Sequence, residues 1–432
     1  MTPAPNSRGS VWFVLTLAVA VMLWLSVWVS QPKLRSNRFV YEEAIAATWP
    51  DSPLFAIPDA HRPVFFDLQV LLNGIELATS GRHPHTVAAT PERPYWYNWP
   101  SSWLILRHSG ANLHWTRPLG LAMGALFLAA VLFACRPRDA LTAGAITVLL
   151  VAPTSVGVIA LANIEEIIFA LLVFTAWAAS RPSPTRWFAL PALALAGLLK
   201  LYPACALPAL LDGRRRTALT LLATAGALAL YFELNLSDLR EVSRITPRPH
   251  YNAIGSLVLA SRLLDAPQRH AALATAFDKL GGIAPWYYIL PTVSVLTFLL
   301  LTFLAGRMGW RHSVRDTLEN DEPAFPSLLF RLSACMYLGC FLIGHNWYYR
   351  EVILLPAIPW LISRPGARAL VVVIIALAWL GWVNTGPIFF LVQTGTWLLA
   401  GGLAYWLVRN LAPDVHRTWR DPRATLTRSR AS

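Results

Sequence analysis

The stretch VWFVLTLAVAVMLWLSVWVS, from Val11 to Ser30, decides the fold class of this chain. It holds about 20 residues without a charge, which is the length of helix that crosses about 30 Å of hydrocarbon. The stretch follows a short N-terminus carrying Arg8 and is long for the apolar core of a signal peptide. We therefore interpret it as an uncleaved first membrane span.

Similar apolar blocks recur along the chain, and they predict an all-α polytopic membrane protein. Of its 432 residues, 56% are hydrophobic and only 14% are charged, whereas soluble domains carry about 25% charged residues. The blocks predict about ten spans. These are Val11–Ser30, Pro118–Cys135, Ala140–Ala162, Asn163–Ser180, Thr217–Leu234, Trp286–Gly306, Pro326–Gly344, Trp347–Ile362, Ala369–Val383 and Pro387–Val408.

Residues 187–211 depart from this simple pattern. The segment is apolar but is interrupted at Pro191, Lys200, Pro203 and Pro208, and arginines flank both of its ends. Two half-length helices that turn at Lys200 would fit both facts. Irregular backbone at membrane depth is tolerated where it is buried in protein or lines a cavity. We therefore predict a broken-helix hairpin here, in addition to the ten spans.

The arginines set the predicted topology. The net charge is +13 and comes almost wholly from arginine, and the short arginine-rich loops fall on one side if both termini are cytoplasmic. Residues 31–117, with short juxtamembrane helices, and 235–285 then form two extracytoplasmic loops of a single membrane domain. The basic tail 409–432 lies near anionic lipid in the cytoplasm. This predicts a multi-pass protein of the cell (inner) membrane, and nucleic-acid binding has no support beyond charge.

One carboxylate in the first outer loop has an unusual position. Residues 65–78 read FFDLQVLLNGIELA and are predicted to form a helix. At about 100° per residue, Gln69, Asn73 and Glu76 fall on one polar stripe, whereas Asp67 lies on the opposite, apolar side.

A carboxylate on an apolar face costs several kcal/mol unless another group meets it there. Ionisable residues of membrane proteins commonly mark functional sites. We therefore interpret Asp67 as a general base, or as a carboxylate that orients an acceptor, in a site that opens outward. The alternative is a structural ion pair with a nearby arginine such as Arg62.

Three basic residues are candidate phosphate ligands. Lys200 lies in an apolar stretch, where its ammonium group could bind a lipid phosphate as a point charge or snorkel to the membrane surface. His345 and Arg350 lie at a predicted outer corner, and arginine is a natural bidentate phosphate ligand. The alternative for Arg350 is an ion pair with Glu351 or Glu166.

Aromatic and polar residues near these motifs are candidate sugar or acceptor contacts. Tyr97, Asn98 and Trp99 belong to an aromatic-rich segment that could stack on sugar rings, or that could form an interfacial aromatic belt. Acidic residues that begin a span also suit a helix N-terminus, so they could be structural or could neutralise a buried cation. The remaining candidates are Glu165, Glu166, Tyr202, Asn252, Tyr348 and Tyr349.

Several motifs are absent from the sequence. It contains no Gly-rich phosphate loop, no Asp-x-Asp pair and no Gly-x-Ser-x-Gly. The four cysteines show neither a disulfide framework nor metal-ligand spacing. We therefore predict no cofactor and no metal site, and we favour a lipid-borne substrate over a nucleotide sugar.

In their order along the chain, these motifs resemble those of the GT-C glycosyltransferases, and more closely those of glycosyltransferase family 87. The resemblance covers most of the chain and rests on an ordered set of short motifs. Two positions depart from it: Trp99-Pro100-Ser101 replaces a Tyr-Pro-Pro, and Asn163-Ile164-Glu165-Glu166 replaces a Gly-Gln pair. The matching motifs are Asp67, Gly81-Arg82-His83-Pro84-His85, Tyr97-Asn98-Trp99-Pro100, Lys200 with Pro203, Asn252 to Leu257, and His345 with Tyr348.

The resemblance implies a GT-C fold and an alpha-mannosyltransferase-like reaction at the outer membrane surface. The donor would be a polyprenyl-phosphate sugar, with mannose favoured, and the acceptor an extracytoplasmic glycan or lipid. The donor phosphate would lie near Lys200, His345 and Arg350. Asp67 would accept the proton of the acceptor hydroxyl while the anomeric carbon is inverted.

Two other classes of protein share parts of this pattern. A lipid or solute transporter also has broken helices and buried charges, but the large outer loop after the first span and the lack of a visible repeat argue against it. A polymerase or ligase of lipid-linked glycans would also face outward. Such enzymes typically carry their large outer loop later in the chain.

Overall fold

A computed structural model shows an almost entirely helical protein. The one small sheet among the described residues has two strands. The structure describes residues 7–30, 65–82, 84, 99–181, 184–245, 253–265, 275, 277–279, 282–316, 324–344, 346–381 and 386–420.

The α-helices are numbered here in chain order. They are α1 (Ser7–Ser30), α2 (Phe66–Thr79), α3 (Thr116–Cys135), α4 (Ala140–Leu150), α5 (Pro153–Leu161), α6 (Glu165–Ala179), α7 (Ala189–Leu199), α8 (Arg215–Leu234), α9 (Leu236–Ile245), α10 (Val258–Asp265), α11 (Trp286–Asp316), α12 (Ala324–Ile343), α13 (Ile358–Ser363), α14 (Arg368–Leu380) and α15 (Gly386–Arg420).

Segments of 3-10 helix and two short strands complete the described structure. The 3-10 helices are Ser101–His108, Leu113–Trp115, Thr185–Phe188, Tyr202–Leu210, Tyr348–Ala357 and Pro365–Ala367. The antiparallel strands β1 (Ala253–Ile254) and β2 (Asn346–Trp347) pair with each other.

The long apolar helices identify a membrane protein. Within the described residues, five helices are long and apolar enough to cross a bilayer, and the pair α4 and α5, bent by 52°, adds a sixth if it is one broken span. The five are Leu113–Cys135, Arg215–Leu234, Trp286–Ser313, Phe325–Ile343 and Pro387–His416. All six coincide with predicted spans, so the all-α membrane class is confirmed, and the count of ten stays a prediction.

Two of the remaining predicted spans have a short or irregular helix. The predicted span Asn163–Ser180 contains the 15-residue helix α6. The predicted span Trp347–Ile362 is a 3-10 helix followed by the six-residue α13. Pro356 lies inside the 3-10 helix, where it removes a backbone donor and crowds the preceding turn, and Pro359 lies in the first turn of α13, where proline is tolerated. The loss at Pro356 explains why a regular α-helix does not form here.

The chain forms two compact units. Unit 1 contains residues 1–201 and 225–247, and unit 2 contains residues 202–224 and 248–432. In unit 1, α6 packs against α3 and α7, α1 packs against α4, and α2 packs against the 3-10 helix Ser101–His108. In unit 2, α11 packs along α15, and α12 packs against α15 and two 3-10 helices.

An ion pair inside unit 2 joins α12 to α15. The guanidinium of Arg331 lies 2.7 Å from the carboxylate of Asp414 and donates to the carbonyl of Asn410 at 2.9 Å. It also donates to the carbonyl of Leu211 at 3.2 Å. A buried arginine needs such partners because its desolvation is costly, so this network is a structural one.

The predicted break at Lys200 is present. Helix α7 ends at Leu199, Lys200 has an extended backbone (φ −150°, ψ 142°), and the next helical residue is Tyr202. The backbone amide of Lys200 still donates to the carbonyl of Ala196 at 3.0 Å. The break therefore removes Lys200 from the regular helix while its amide stays satisfied.

Candidate functional site

Helix α2 carries Asp67 in its first turn, and its start is anchored in unit 1. Phe65 adopts a left-handed backbone conformation (φ 62°), and its amide donates to the carbonyl of Ala160 at 3.1 Å. Its ring lies against Gly120, where a β-carbon would collide with it. Glycine is required at this close approach. The start of α2 is thus held against the end of α5.

Asn163 lies directly beyond the end of α5 and contacts Asp67. Ala162 is in the left-handed region (φ 43°), which ends the helix and turns the chain towards α6. The side-chain amide of Asn163 donates to Oδ2 of Asp67. Its Oδ1 accepts from the backbone amide of Glu165 at 3.0 Å, so both ends of the amide are used.

Lys200 joins the same group of residues. Its Nζ lies 2.7 Å from Oε1 of Glu165 and donates to Oδ1 of Asn163 at 3.2 Å. Glu165 is fully buried, and Lys200 is only 9% exposed. A buried ion pair of this kind is maintained only if hydrogen bonds satisfy the remaining polar atoms. Glu165 is therefore the counter-ion of Lys200, and the snorkelling alternative for Lys200 is wrong.

Trp99 covers the Lys200 ammonium. Nζ of Lys200 lies 4.9 Å from the ring centroid of Trp99, within cation–π range. Trp103 packs edge-on against Trp99, and its indole donates to the carbonyl of Leu199 at 3.2 Å. Ser102 donates to the neighbouring carbonyl of Leu198 at 2.9 Å. These bonds to the last turn of α7 position the tryptophan over the lysine.

We call Asp67, Trp99, Asn163, Glu165 and Lys200 the Asn163 cluster. The side chain of Asp67 is half-buried within it. Desolvation raises the pKa of the Asp67 carboxyl to about 6, although the hydrogen bond from Asn163 and the charge of Lys200 both favour the ionised form. Asp67 therefore changes its charge near neutral pH.

Glu166 follows this cluster in the sequence but does not share its bonds. The side chain is fully buried, and within the described residues neither carboxyl oxygen has a hydrogen-bond partner. Its surroundings include Gly124 of α3. A carboxyl group in such a place is expected to hold its proton, because the cost of burying an unpaired charge is very large.

The predicted residues at the late corner lie in unit 2. The guanidinium of Arg350 lies 5.1 Å from the ring centroid of Tyr202. Tyr349 is buried, and its ring is stacked on Trp347 at 6.4 Å. Strand β2 pairs with β1 at the start of this corner, and Gly255 allows the close approach of Gly344.

Glu351 lies among buried polar groups of unit 2. We call Tyr337, Tyr348, Glu351 and Gln393 the Glu351 cluster. The Glu351 carboxyl lies within electrostatic range of both tyrosine hydroxyls, and Gln393 donates to the Tyr348 hydroxyl at 3.3 Å. In the described part of the chain, the carboxyl of Glu351, the hydroxyl of Tyr337 and Oε1 of Gln393 lack hydrogen-bond partners.

The structure therefore brings together some of the predicted site residues. Asp67, Trp99, Glu165 and Lys200 share one cluster, whereas Tyr202, Tyr348, Tyr349 and Arg350 belong to the other unit. The alternative ion pair of Asp67 with Arg62 concerns a residue outside the described part. The other predictions that lie outside it are Tyr97, Asn98, Asn252 and His345.

Four residues of these clusters, Asn163, Tyr337, Glu351 and Gln393, were not predicted from the sequence as site residues. Asn163 carries the central amide of its cluster, and Gln393 bonds both Tyr348 and the carbonyl of Ala253. Asn163 has a sequence signal, since it is a polar residue before two glutamates between apolar helices. Gln393 also has a sequence signal, since its amide side chain lies within an apolar part of α15.

Among the described residues, no group of three or more histidine, cysteine, aspartate or glutamate side chains is arranged to hold a metal ion. None of the four cysteines, all within the described residues, forms a disulfide bond. The chain matches no protein-family model, no curated protein and no solved structure.

Proposed function

We propose that this chain is a membrane hexosyltransferase of the GT-C type that uses a polyprenyl-phosphate sugar. It moves a hexose, with mannose favoured, to an extracytoplasmic glycan or lipid acceptor. The observation that carries the proposal is Asp67: a half-buried carboxylate, bonded by an amide, with a pKa raised to about 6. A carboxylate with such a pKa is a better general base than an ordinary aspartate.

In the proposed reaction, the acceptor oxygen attacks the anomeric carbon of the donor. The new carbon–oxygen bond forms on the face opposite to the phosphate, so the configuration is inverted. The bond from the anomeric carbon to the phosphate oxygen breaks, and polyprenyl phosphate leaves with the electron pair. Asp67 orients the acceptor hydroxyl and receives its proton late in the step.

The leaving phosphate needs cationic partners, and Lys200 is the candidate in unit 1. Its ammonium is paired with Glu165 at 2.7 Å, so a donor phosphate has to share the ammonium with that carboxylate. Arg350 and His345 are the further phosphate candidates. Positive groups that meet a developing negative charge lower the barrier of a transfer reaction.

Sugar contacts are proposed for the aromatic and polar residues of the predicted site. Trp99 supports this role because its indole N–H is buried and has no hydrogen-bond partner among the described residues. The other proposed contacts are Tyr97, Asn98, Glu165, Glu166, Tyr202, Asn252, Tyr348 and Tyr349.

The function is tested by reconstituting the purified protein with polyprenyl-phosphate mannose and a set of lipid and glycan acceptors. We expect the release of polyprenyl phosphate and a mannosylated product, detected by mass spectrometry. Asp67→Asn is expected to abolish transfer and to leave donor binding nearly unchanged. Lys200→Ala and Arg350→Ala are expected to weaken donor binding. Full activity of Asp67→Asn would remove that residue from the mechanism.

A transporter is the second candidate, and the break at Lys200 favours it. Interrupted helices with buried charges are common at the substrate sites of transporters, and here an extended Lys200 meets a buried Glu165. Counterflow of labelled polyprenyl-phosphate sugar in vesicles, without any chemical change of the lipid, would support transport. A new glycosidic bond would support the transferase. A polymerase or ligase is distinguished by a lengthened glycan product.

A further inference from the structure

Asn163 is the residue through which Asp67 and Lys200 meet. These two residues make bonds to opposite ends of the same side-chain amide, since Nδ2 faces Asp67 and Oδ1 faces Lys200. Asn163 is 1% exposed. The proposed function gives Asp67 and Lys200 roles in one reaction and gives Asn163 none.

The orientation of the Asn163 amide follows from its neighbours. Both the Lys200 ammonium and the backbone amide of Glu165 are donors, so the oxygen of Asn163 must face them. The nitrogen therefore points at Asp67. An amide nitrogen can only donate, and a donated bond favours the ionised form of a carboxyl group.

We propose that Asn163 is a positioning residue of this site, which fixes Asp67 relative to Lys200 and keeps Asp67 ionised. Its benefit to transfer rests on the proposed function, whereas its effect on the charge of Asp67 does not. Asn163 touches no substrate in this scheme and acts through Asp67.

Other charged groups near α2 do not perform this role. Lys200 and Glu165 are the charged groups that act on Asp67. Glu76 lies about two and a half turns from Asp67 towards the other end of the same helix. The elements packed against α2 also carry Arg107, His108, His114 and Arg117, all of them exposed.

The direct test is a pH titration of Asp67 by infrared spectroscopy on protein with isotopically labelled aspartate. The Asp67 band is assigned by its loss in Asp67→Asn. In the wild type we expect a midpoint at about pH 6. In Asn163→Ala the midpoint is expected to rise by about one to two pH units, because a bond from a neutral donor to a carboxylate is lost.

Asn163→Asp is the matched second variant, because it has nearly the same shape. Its oxygen atoms can still accept from Lys200 and from the amide of Glu165, but one of them faces the Asp67 carboxylate. Two facing carboxylates share a proton, so we expect a protonated band that persists through neutral pH. If Asn163→Ala does not fold, this variant alone decides the question.

The control is Ser155→Ala, which removes a buried hydrogen bond to the carbonyl of Leu149 at 2.7 Å and does not touch the cluster. It is expected to leave the Asp67 midpoint unchanged. An unchanged midpoint in Asn163→Ala or Asn163→Asp would overturn the positioning role.

The kinetic measurement separates this proposal from the proposed function. In Asn163→Ala, the acid limb of the kcat profile is expected to move to higher pH with the infrared midpoint, and the KM for the donor is expected to change less than twofold. If the wild type shows no transfer but the midpoints shift, the transferase proposal fails and the positioning role stands. If transfer occurs and the midpoints do not shift, only the positioning role fails.

Discussion

The two clusters of buried polar groups differ in whether their buried glutamate has a bonding partner. In the Asn163 cluster, the carboxylate of Glu165 meets the ammonium of Lys200, and one amide bonds both Lys200 and Asp67. In the Glu351 cluster, a glutamate next to an arginine in the sequence has no hydrogen-bond partner within the described residues. Sequence neighbours therefore do not pair here, whereas residues 35 positions apart do.

The difference has a physical reason. Adjacent residues point in directions about 100° apart in an α-helix and about 120° apart in a 3-10 helix such as Tyr348–Ala357, so Glu351 is buried while Arg350 lies over the ring of Tyr202. The same geometry directs Glu165 and Glu166 to different sides of α6, so Glu165 contacts Lys200 and Glu166 does not. The same Glu→Gln change at each of these positions tests whether the buried carboxyl group is ionised and paired.

The largest effect is expected for Glu165→Gln. This change leaves the buried Lys200 ammonium without its counter-ion, and removal of one partner of a buried pair typically costs about 3–5 kcal/mol. Lys200→Met is expected to cost a similar amount, and the double variant less than the sum of the two. Chemical unfolding in detergent measures these free energies.

The pair of the exposed Arg214 and the half-buried Asp212, 3.7 Å apart, provides the matched control. Arg214→Gln is expected to change the free energy of unfolding by at most about 1 kcal/mol. If Glu165→Gln lowers the free energy of unfolding by no more than this control does, then water, rather than Glu165, stabilises the charge of Lys200.

A smaller, pH-dependent effect is expected from Asp67. Burial raises the folded-state pKa from 3.8 to about 6, so the folded protein binds more protons than the unfolded chain between these values. Stability therefore decreases as the pH rises from about 4 to about 6, by about 2–3 kcal/mol. Below pH 4 both states are protonated, and above about pH 7 the full loss is present.

The measurement is the pH profile of the unfolding free energy in wild type and Asp67→Asn. The difference between the two profiles isolates Asp67, since the asparagine does not titrate. A difference that is flat between pH 4 and 7 would contradict the raised pKa.

Glu351→Gln and Glu166→Gln are expected to have smaller effects, of at most about 1 kcal/mol. Both carboxyl groups are buried and lack hydrogen-bond partners among the described residues, so each is expected to be neutral before the change. An amide of nearly the same shape then replaces a neutral acid. A loss of several kcal/mol in Glu351→Gln would instead indicate an ionised and paired carboxylate.

The smallest effect on stability is expected for Trp99→Phe, about 0.5 kcal/mol. The phenyl ring retains a weaker cation–π contact with Lys200, and the indole N–H that is lost has no hydrogen-bond partner in the described structure. Trp103→Phe is the matched control and should cost about 1 kcal/mol, because its indole donates to Leu199. Equal losses in the two variants would mean that the Trp99 indole is also bonded.

Much of the fold follows from local patterns that the sequence displays. Apolar length identified the helices able to cross a membrane, and prolines with a lysine identified the break at Lys200. Periodicity predicted a helix over residues 65–78 with Asp67 off its polar stripe, and α2 confirms the helix. The segment after Trp347 was predicted as a span, and that stays a prediction; the structure gives it a 3-10 helix followed by the short α13.

The partners of the charged residues were decided only by the tertiary structure. Periodicity shows which side of a helix a residue lies on, but it does not show which other helix faces that side. Asn163 is 96 residues from Asp67 and 37 from Lys200, and it links them because α2, α5, α6 and α7 belong to one packed unit. The sequence by itself determined a helical membrane protein with buried charges, and the packing of its helices determined which of those charges meet.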